Sequence, residues 1–333
     1  MKKLASTFVI TLIILIMFFA CNHLIENKLP AGTGTLAEVL VIMPQKEWKG
    51  QVGFVVKDML QQDIVGVNAS EPLFIPRYIE PQQFDKIYLT FRKILRVNVA
   101  DTVKKNRILY FQDVYAHPQM FIDVYAQNDS LAIQLLQQKA NHIIQSFRET
   151  EILRLQEVFK QYANQRIKKQ ISEQFGFYLT MQESYYVAKT AKDFAWYRFE
   201  PKDYSIGILV YTREFKDSSQ LLPESILAYR NQITKAYIPG QLEGSYMSTE
   251  EQFPPEVDTV PFYNTRAIEI RHLWKTINDY MGGPFLSYTF HDVVNNRIIT
   301  LEGYAFYPNH DKRELMFHIE AVLRSYTPVQ TKK

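Results

Sequence analysis

The side chains able to do chemistry are spread thinly along this sequence. Its seven histidines stand at 23, 117, 142, 272, 291, 310 and 318. No two share the one-turn spacing that lets a helix present paired imidazoles to a metal ion. Ser245 follows Gly244, but no second glycine completes a nucleophile elbow and no strand leads straight into it, so it reads as a turn serine. Gly282-Gly283-Pro284 is followed by strand-like residues and has no nearby Lys-Ser/Thr, so it does not form a phosphate cradle. Glu250-Glu251 is a carboxylate pair in a proline-rich stretch, with no apolar pocket in view to shift either acid. These patterns supply no catalytic residue, no metal ligand set and no cofactor site. The one cysteine, Cys21, is different, because its position gives its sulfur a use.

Lys2 and Lys3 form a positive start, Phe8–Phe19 (FVITLIILIMFF) an apolar core, and Ala20 a small residue before Cys21. That order is a cleavable export signal. The apolar run is also too short for a comfortable membrane span, which takes roughly 20 residues. Phe18-Phe19-Ala20-Cys21 resembles a lipobox, with Phe18 where Leu is preferred. The resemblance implies cleavage after Ala20, a diacylglycerol on the Cys21 sulfur and a further acyl chain, such as palmitate, on its amine. Several chains together anchor firmly where one would be marginal. Asn22-His23-Leu24 carries no aspartate at the next position. By resemblance to lipoprotein sorting rules, this implies the periplasmic face of the outer membrane. Residues 21–34 then act as a tether.

Composition limits what the exported part can be. The hydrophobic fraction is 47% and the charged fraction 22%, as in a folded globular protein. Removing Lys2 and Lys3 with the leader takes the formal charge from +3 to +1. Near-neutrality argues against nucleic acid as a partner, which demands a basic excess. With Cys21 acylated, no thiol is left for a disulfide.

The elements follow from periodicity. Leu36–Met43 is a nearly continuous apolar run, which suits a strand buried on both faces. Lys46–Leu60 repeats Trp48, Val52, Val55, Val56 and Leu60 at helical spacing, and the proline-marked stretch 61–86 reads as loop. Ile94–Val99, Ile108–Val114 and Met120–Ala126 read as strands. Asn128-Asp129-Ser130 opens a long helical stretch, with a break expected near Glu149–Glu151 and an end at Gly176. Its Lys and Arg residues form a basic stripe, and such a run is usually a solvated face.

Short strands at 177–179, 185–188, 194–199 and 205–212 precede a helix at Pro223–Ala236. Strands at 267–274, 285–290 and 298–306 then lead to a closing helix at 311–325. The predicted class is α+β, in two similar sheet-and-helix halves, 35–175 and 176–327, packed into one body. Ile122–Ala126 and Leu301–Ala305 occupy corresponding places before a helix, which suggests a duplicated unit.

A set of short motifs runs in order along the mature chain: Ala116-His117-Pro118-Gln119, Ile238-Pro239-Gly240, Gly244-Ser245-Tyr246-Met247, Ile270–Trp274, Gly282–Phe285 and Leu301–Pro308. Together they resemble a family of uncharacterised Gram-negative envelope lipoproteins known only as a domain of unknown function. The family's pattern has Gly where this sequence has His272. The resemblance implies a lipid anchor and a shared architecture, with no activity attached.

Two kinds of function stay open on the sequence. One is a non-enzymatic binding or assembly protein with an envelope protein or a glycan as partner. The other is a hydrolase or transferase acting on envelope material. For the first, the expected contact surface is formed by two glycine- and aromatic-bearing loops, Tyr237–Glu251 and Trp274–Phe285, through Tyr246, Met247, Trp274 and Phe285.

Overall fold

The computed structural model describes residues 28–67 and 69–329. The expected leader and Cys21 lie outside the described residues, as does the tether as far as Asn27. Among those described, no helix is long and apolar enough to cross a membrane.

The first half is built on a five-stranded sheet. β1 (Glu38–Ile42) is buried from Val39 onward and lies between β2 (Ile75–Ile79) and β3 (Lys93–Val99), both parallel to it. β4 (Arg107–Gln112) runs antiparallel at the far edge against β5 (Met120–Ala126), which pairs parallel with β3. The continuous apolar run of β1 is explained by this central place, since both faces of a covered parallel strand need apolar side chains. β2 falls inside the stretch expected to be loop. It is an edge strand, where Pro76 has no second neighbour to deprive of a hydrogen bond.

The helix expected over 46–60 is two, α1 (Gln45–Lys49) and α2 (Gln51–Leu60), separated by extended backbone at Gly50. α3 (Lys86–Leu89) is a single turn. α4 (Asp129–Gln161) starts on the Asn128 side chain, which accepts from Leu131 N, and continues without a break through Glu149–Glu151. Glu151 is fully buried in mid-helix, held by Arg92 at 2.6 Å, Arg154 at 2.8 Å and Lys93. The chain breaks instead at Tyr162–Asn164, where Asn164 caps α5 (Gln165–Phe175). Gly176, at φ 75°, ends that helix.

The second half is an antiparallel eight-stranded sheet. Its middle is β9 (Ser205–Glu214), β14 (Arg297–Phe306), β13 (Gly282–Asp292) and β12 (Thr265–Ile277). β8 (Phe194–Phe199) and β7 (Tyr186–Ala191) extend it on one side. On the other, β10 (Tyr246–Thr249) and β11 (Glu256–Phe262) pair with the two ends of β12. β6 (Phe177–Tyr178) pairs apart with β15 (Thr327–Pro328). α6 (Pro223–Tyr237) covers one face, where Ile226 and Ile233 meet Leu209, Tyr211 and Phe285. α7 (Arg313–Leu323) covers the other and joins the core shared with α2 and α4.

The chain is therefore α+β in two halves, which differ both in element order and in strand pairing. The first half's sheet is mostly parallel and the second's antiparallel. Ile122–Ala126 pairs in parallel with β3, whereas Leu301–Ala305 pairs antiparallel with both β9 and β13. The chain reaches β5 from β3 through the reversed strand β4, so β5 slots between them parallel to β3 and antiparallel to β4.

Candidate functional site

Of the four residues expected to form a contact surface, Met247, Trp274 and Phe285 share one cluster inside the protein, and Tyr246 is not part of it. Met247 and Trp274 are each 2% exposed, Phe285 is fully buried, and only Tyr246 is partly open. Nor do they sit on loops. Tyr246 and Met247 begin β10, opposite Ile277 and Thr276 of β12, and Trp274 pairs with Gly283 across the β12–β13 hairpin. The true turn of that hairpin is confined to Asn278–Met281, with Asn278 at φ 61°. Apolar side chains alternating along these short segments serve the sheet's inner face, which their glycines disguised.

Beneath them lies a buried ion pair. Arg230 on α6 donates to Glu302 on β14 from Nε at 3.0 Å and from Nη2 at 2.8 Å. Its Nη1 donates to Thr249 Oγ1 at 3.0 Å, and its guanidinium lies 3.9 Å from the centre of the Phe285 ring. Tyr211 donates to the same carboxylate at 3.0 Å. Each charge here has a partner, so the cluster fastens α6 and β10 to the sheet. His272 packs against Phe285, and its pKa is lowered, first by burial and then by Arg230.

At one end of the same face a groove of about 410 Å³ opens between the C-terminus of α6 and the strands. Trp196, Trp274, Tyr304 and Phe306 make its aromatic wall, Ile238, Met247 and Met281 add apolar contact, and Arg198 and Tyr186 stand at its side. Strand alternation explains the grouping: Phe194, Trp196 and Arg198 share one face of β8, as Tyr304 and Phe306 share one face of β14. Trp274 donates from Nε1 to Ala305 O at 3.2 Å and meets the Tyr304 ring edge-on at 5.4 Å. Gly207 lets Tyr304 lie flat on β9, since a Cβ there would fall 2.1 Å from the ring. Burial raises the Tyr304 phenol well above its usual range, so it is a neutral part of the wall. Arg198 reaches Glu200 through Nη2, while its buried Nε has no hydrogen-bond partner among the described residues.

Sequence reasoning missed Trp196, Arg198, Tyr304 and Phe306. A signal was present in FAWYRF and in Tyr304-Ala305-Phe306, where large side chains recur every second residue.

A second cleft, about 740 Å³, lies where the halves meet. Its cations are matched by acids: Arg148 to Glu320 at 2.6 Å, Arg271 to Glu320 at 2.9 Å and to Glu269 at 2.7 Å, Arg324 to Glu149 at 2.7 Å. Burial works to raise the Glu320 pKa, but the three arginines outweigh it and hold that carboxyl at about 2. The cleft is a fastening between halves. The groove, concave, largely apolar and carrying few polar groups, has the make-up of a ligand site.

The architecture thus defines a two-part α+β protein whose second sheet carries an aromatic groove. Residues 164–325 match the family described as Domain of unknown function (DUF4837), and residues 32–160 match Domain of unknown function (DUF8532). Two different models of unknown function thus match successive parts of the chain, with α5 falling in the second. No curated protein matches the chain. Among solved structures, it is similar to the solution structure of cyanobacterial PsbP (CyanoP) from Synechocystis sp. PCC 6803, at 11% identity and a TM-score of 0.31. That match covers 46% of this chain and 86% of the other.

Proposed function

We propose that this is a lipid-anchored envelope protein of the outer membrane's periplasmic face that binds a partner, and that the Trp196–Trp274 groove receives it. The observation that carries the reading is the groove's composition. Four aromatic rings form an apolar wall, and the Arg198 guanidinium is left partly unpaired beside it. An apolar or ring-shaped group bearing an acidic function fits such a place, by contact with the rings and a charge-assisted hydrogen bond to the guanidinium. Sugar–peptide fragments of the cell wall combine both features. The anchor rests on the order of Lys2-Lys3, the apolar run and Ala20-Cys21.

Two of the protein's three tryptophans line the groove, so intrinsic fluorescence reports on it directly. Titration of the acylated protein in detergent with purified muropeptides should shift tryptophan emission saturably. The shift should persist in Trp48→Phe and weaken in Arg198→Ala. Unchanged emission across the titration would overturn the groove's assignment, and failure of the protein to partition into detergent would overturn the anchor.

A further inference from the structure

The five-stranded sheet has one face packed on α2 and α4 and the other covered by a thin layer of aromatic side chains. Leu40, Ile42, Ile79, Ile94 and Phe121 lie on that second face, buried under Phe84, Tyr88 and Phe91 from the short segment around α3. Phe121 is surrounded by rings, with Phe84, Phe111 and Tyr115 centred 6.2, 6.3 and 6.5 Å away. The outermost of these groups face water: Ile87 is 76% exposed, Phe111 39% and Tyr115 38%.

The apolar character is confined to one end of that face. Phe91 and Phe121 mark the starts of β3 and β5, whereas further along both strands the same face turns polar. There Arg96 pairs with Asp123, and Asn98 donates to the same carboxylate at 3.1 Å. The apolar end is also where the chain comes in. His117 N donates to Pro30 O at 2.9 Å, Gly32 N to His117 O at 3.1 Å, and Thr33 N to Thr90 O at 2.8 Å. Arg92 then clamps the Gly32 and Gly34 carbonyls at 2.6 and 2.7 Å. The segment expected to be free tether as far as residue 34 is fastened from Pro30 onward.

We infer that this aromatic end of the first sheet rests on the bilayer, with Ile87, Phe111 and Tyr115 entering the headgroup region. The inference rests on the anchor proposed above. Only residues 22–29 separate Cys21 from the fastened Pro30. At no more than about 3.5 Å per residue they reach under about 30 Å, less than the width of a domain of this size. The side chains beside Pro30 are thus held near the lipid. Aromatic rings with a polar edge favour the interface, and an exposed apolar patch there gains from burial in it. Charge there is mixed, with Arg77 3.7 Å from Glu38 and Lys86 next to Asp85, so the apolar contacts carry the inference.

The test uses the full-length acylated protein in phosphatidylethanolamine–phosphatidylglycerol vesicles. Acylation uses the only thiol, so Ile87→Cys, Tyr115→Cys and Val294→Cys can each carry a single environment-sensitive dye. Val294 is 88% exposed on the β13–β14 turn of the second half and serves as the control. Dyes at 87 and 115 should blue-shift and lose most of their emission to lipids spin-labelled at the headgroup, while the dye at 294 should do neither. Vesicle flotation with equal quenching at all three positions overturns the resting surface and leaves the anchor standing. Absence of flotation removes the anchor, and the surface falls with it.

Discussion

Arg148 and Glu320, 172 residues apart in sequence, meet at 2.6 Å between the long helix of the first half and the closing helix of the second. Arg271 and Arg324 converge on the same carboxylate, so one acid on α7 ties α4, β12 and its own helix end together. Removing one member of a buried pair leaves charge stranded in a poorly solvated place, which costs far more than an exposed pair contributes.

Glu320→Gln should therefore destabilise the protein by about 3–5 kcal/mol, read as a lower urea midpoint. The pH dependence has a definite sign. Glu320 is held at about 2 against a usual 4.5. Its contribution is thus complete above pH 4.5 and drains away as pH falls toward 2. The variant's stability should be flatter over that window. Parallel losses in both proteins below pH 4.5 would assign the titration elsewhere.

His318 works in the same direction, in a window higher in pH. It is packed among Phe159, Phe199 and Tyr185, with its Nε2 2.9 Å from the Tyr185 hydroxyl, and desolvation lowers its pKa to about 4 from 6.5. Between those values the unfolded chain binds a proton that the folded chain refuses. Stability should then fall with pH from 6.5 to 4, by up to about 1.4 kcal/mol per unit, and level off below. Proton NMR of the His318 ring checks this directly, since a midpoint near 6.5 would contradict it.

What the sequence made legible follows from the kind of signal each element carries. β1 and β9 announced themselves as unbroken apolar runs, and α4 as a capped helical repeat. β2 stayed hidden because Pro76 is tolerated only where a strand has a free edge, and edge position is a tertiary fact. Glu151 read as a surface break because its partners, Arg92 and Lys93, are almost sixty residues away. The same limit applied to the groove. Met247, Trp274 and Phe285 share one buried cluster without Tyr246, and nothing local distinguishes an aromatic that lines a cavity from one that plugs a core. Trp196 and Tyr304 join them only through the β8–β9–β14 pairing.

Cys21→Ser should abolish acylation. The variant's precursor should keep its leader by mass spectrometry and leave the detergent phase. A processed, detergent-partitioning variant would show that the lipobox reading is mistaken.

Gly283 offers a test of how the groove wall is built. Replacing glycine by alanine within a strand ordinarily gains stability, by roughly 0.5–1 kcal/mol, because the unfolded chain loses freedom. Here the gain should reverse. A Cβ on Gly283 would fall 2.2 Å from the Ala305 carbonyl oxygen, and 3.2 Å from the Trp274 Nε1 that donates to that same oxygen. The obstacle is backbone of β14, so relief requires either that β13 and β14 part or that the Trp274 indole gives up its acceptor. Overpacking of this kind costs about 1–3 kcal/mol. If the indole yields, its emission should move to the red as the ring loosens. Gly244 provides the contrast: no atom lies within 4 Å of its would-be Cβ, and its penalty comes only from φ 73°, about 1–2 kcal/mol. Gly244→Ala should lower stability without altering tryptophan emission. Should Gly283→Ala match the wild type in both stability and emission, the close approach that seats Trp274 in the groove wall would be wrong.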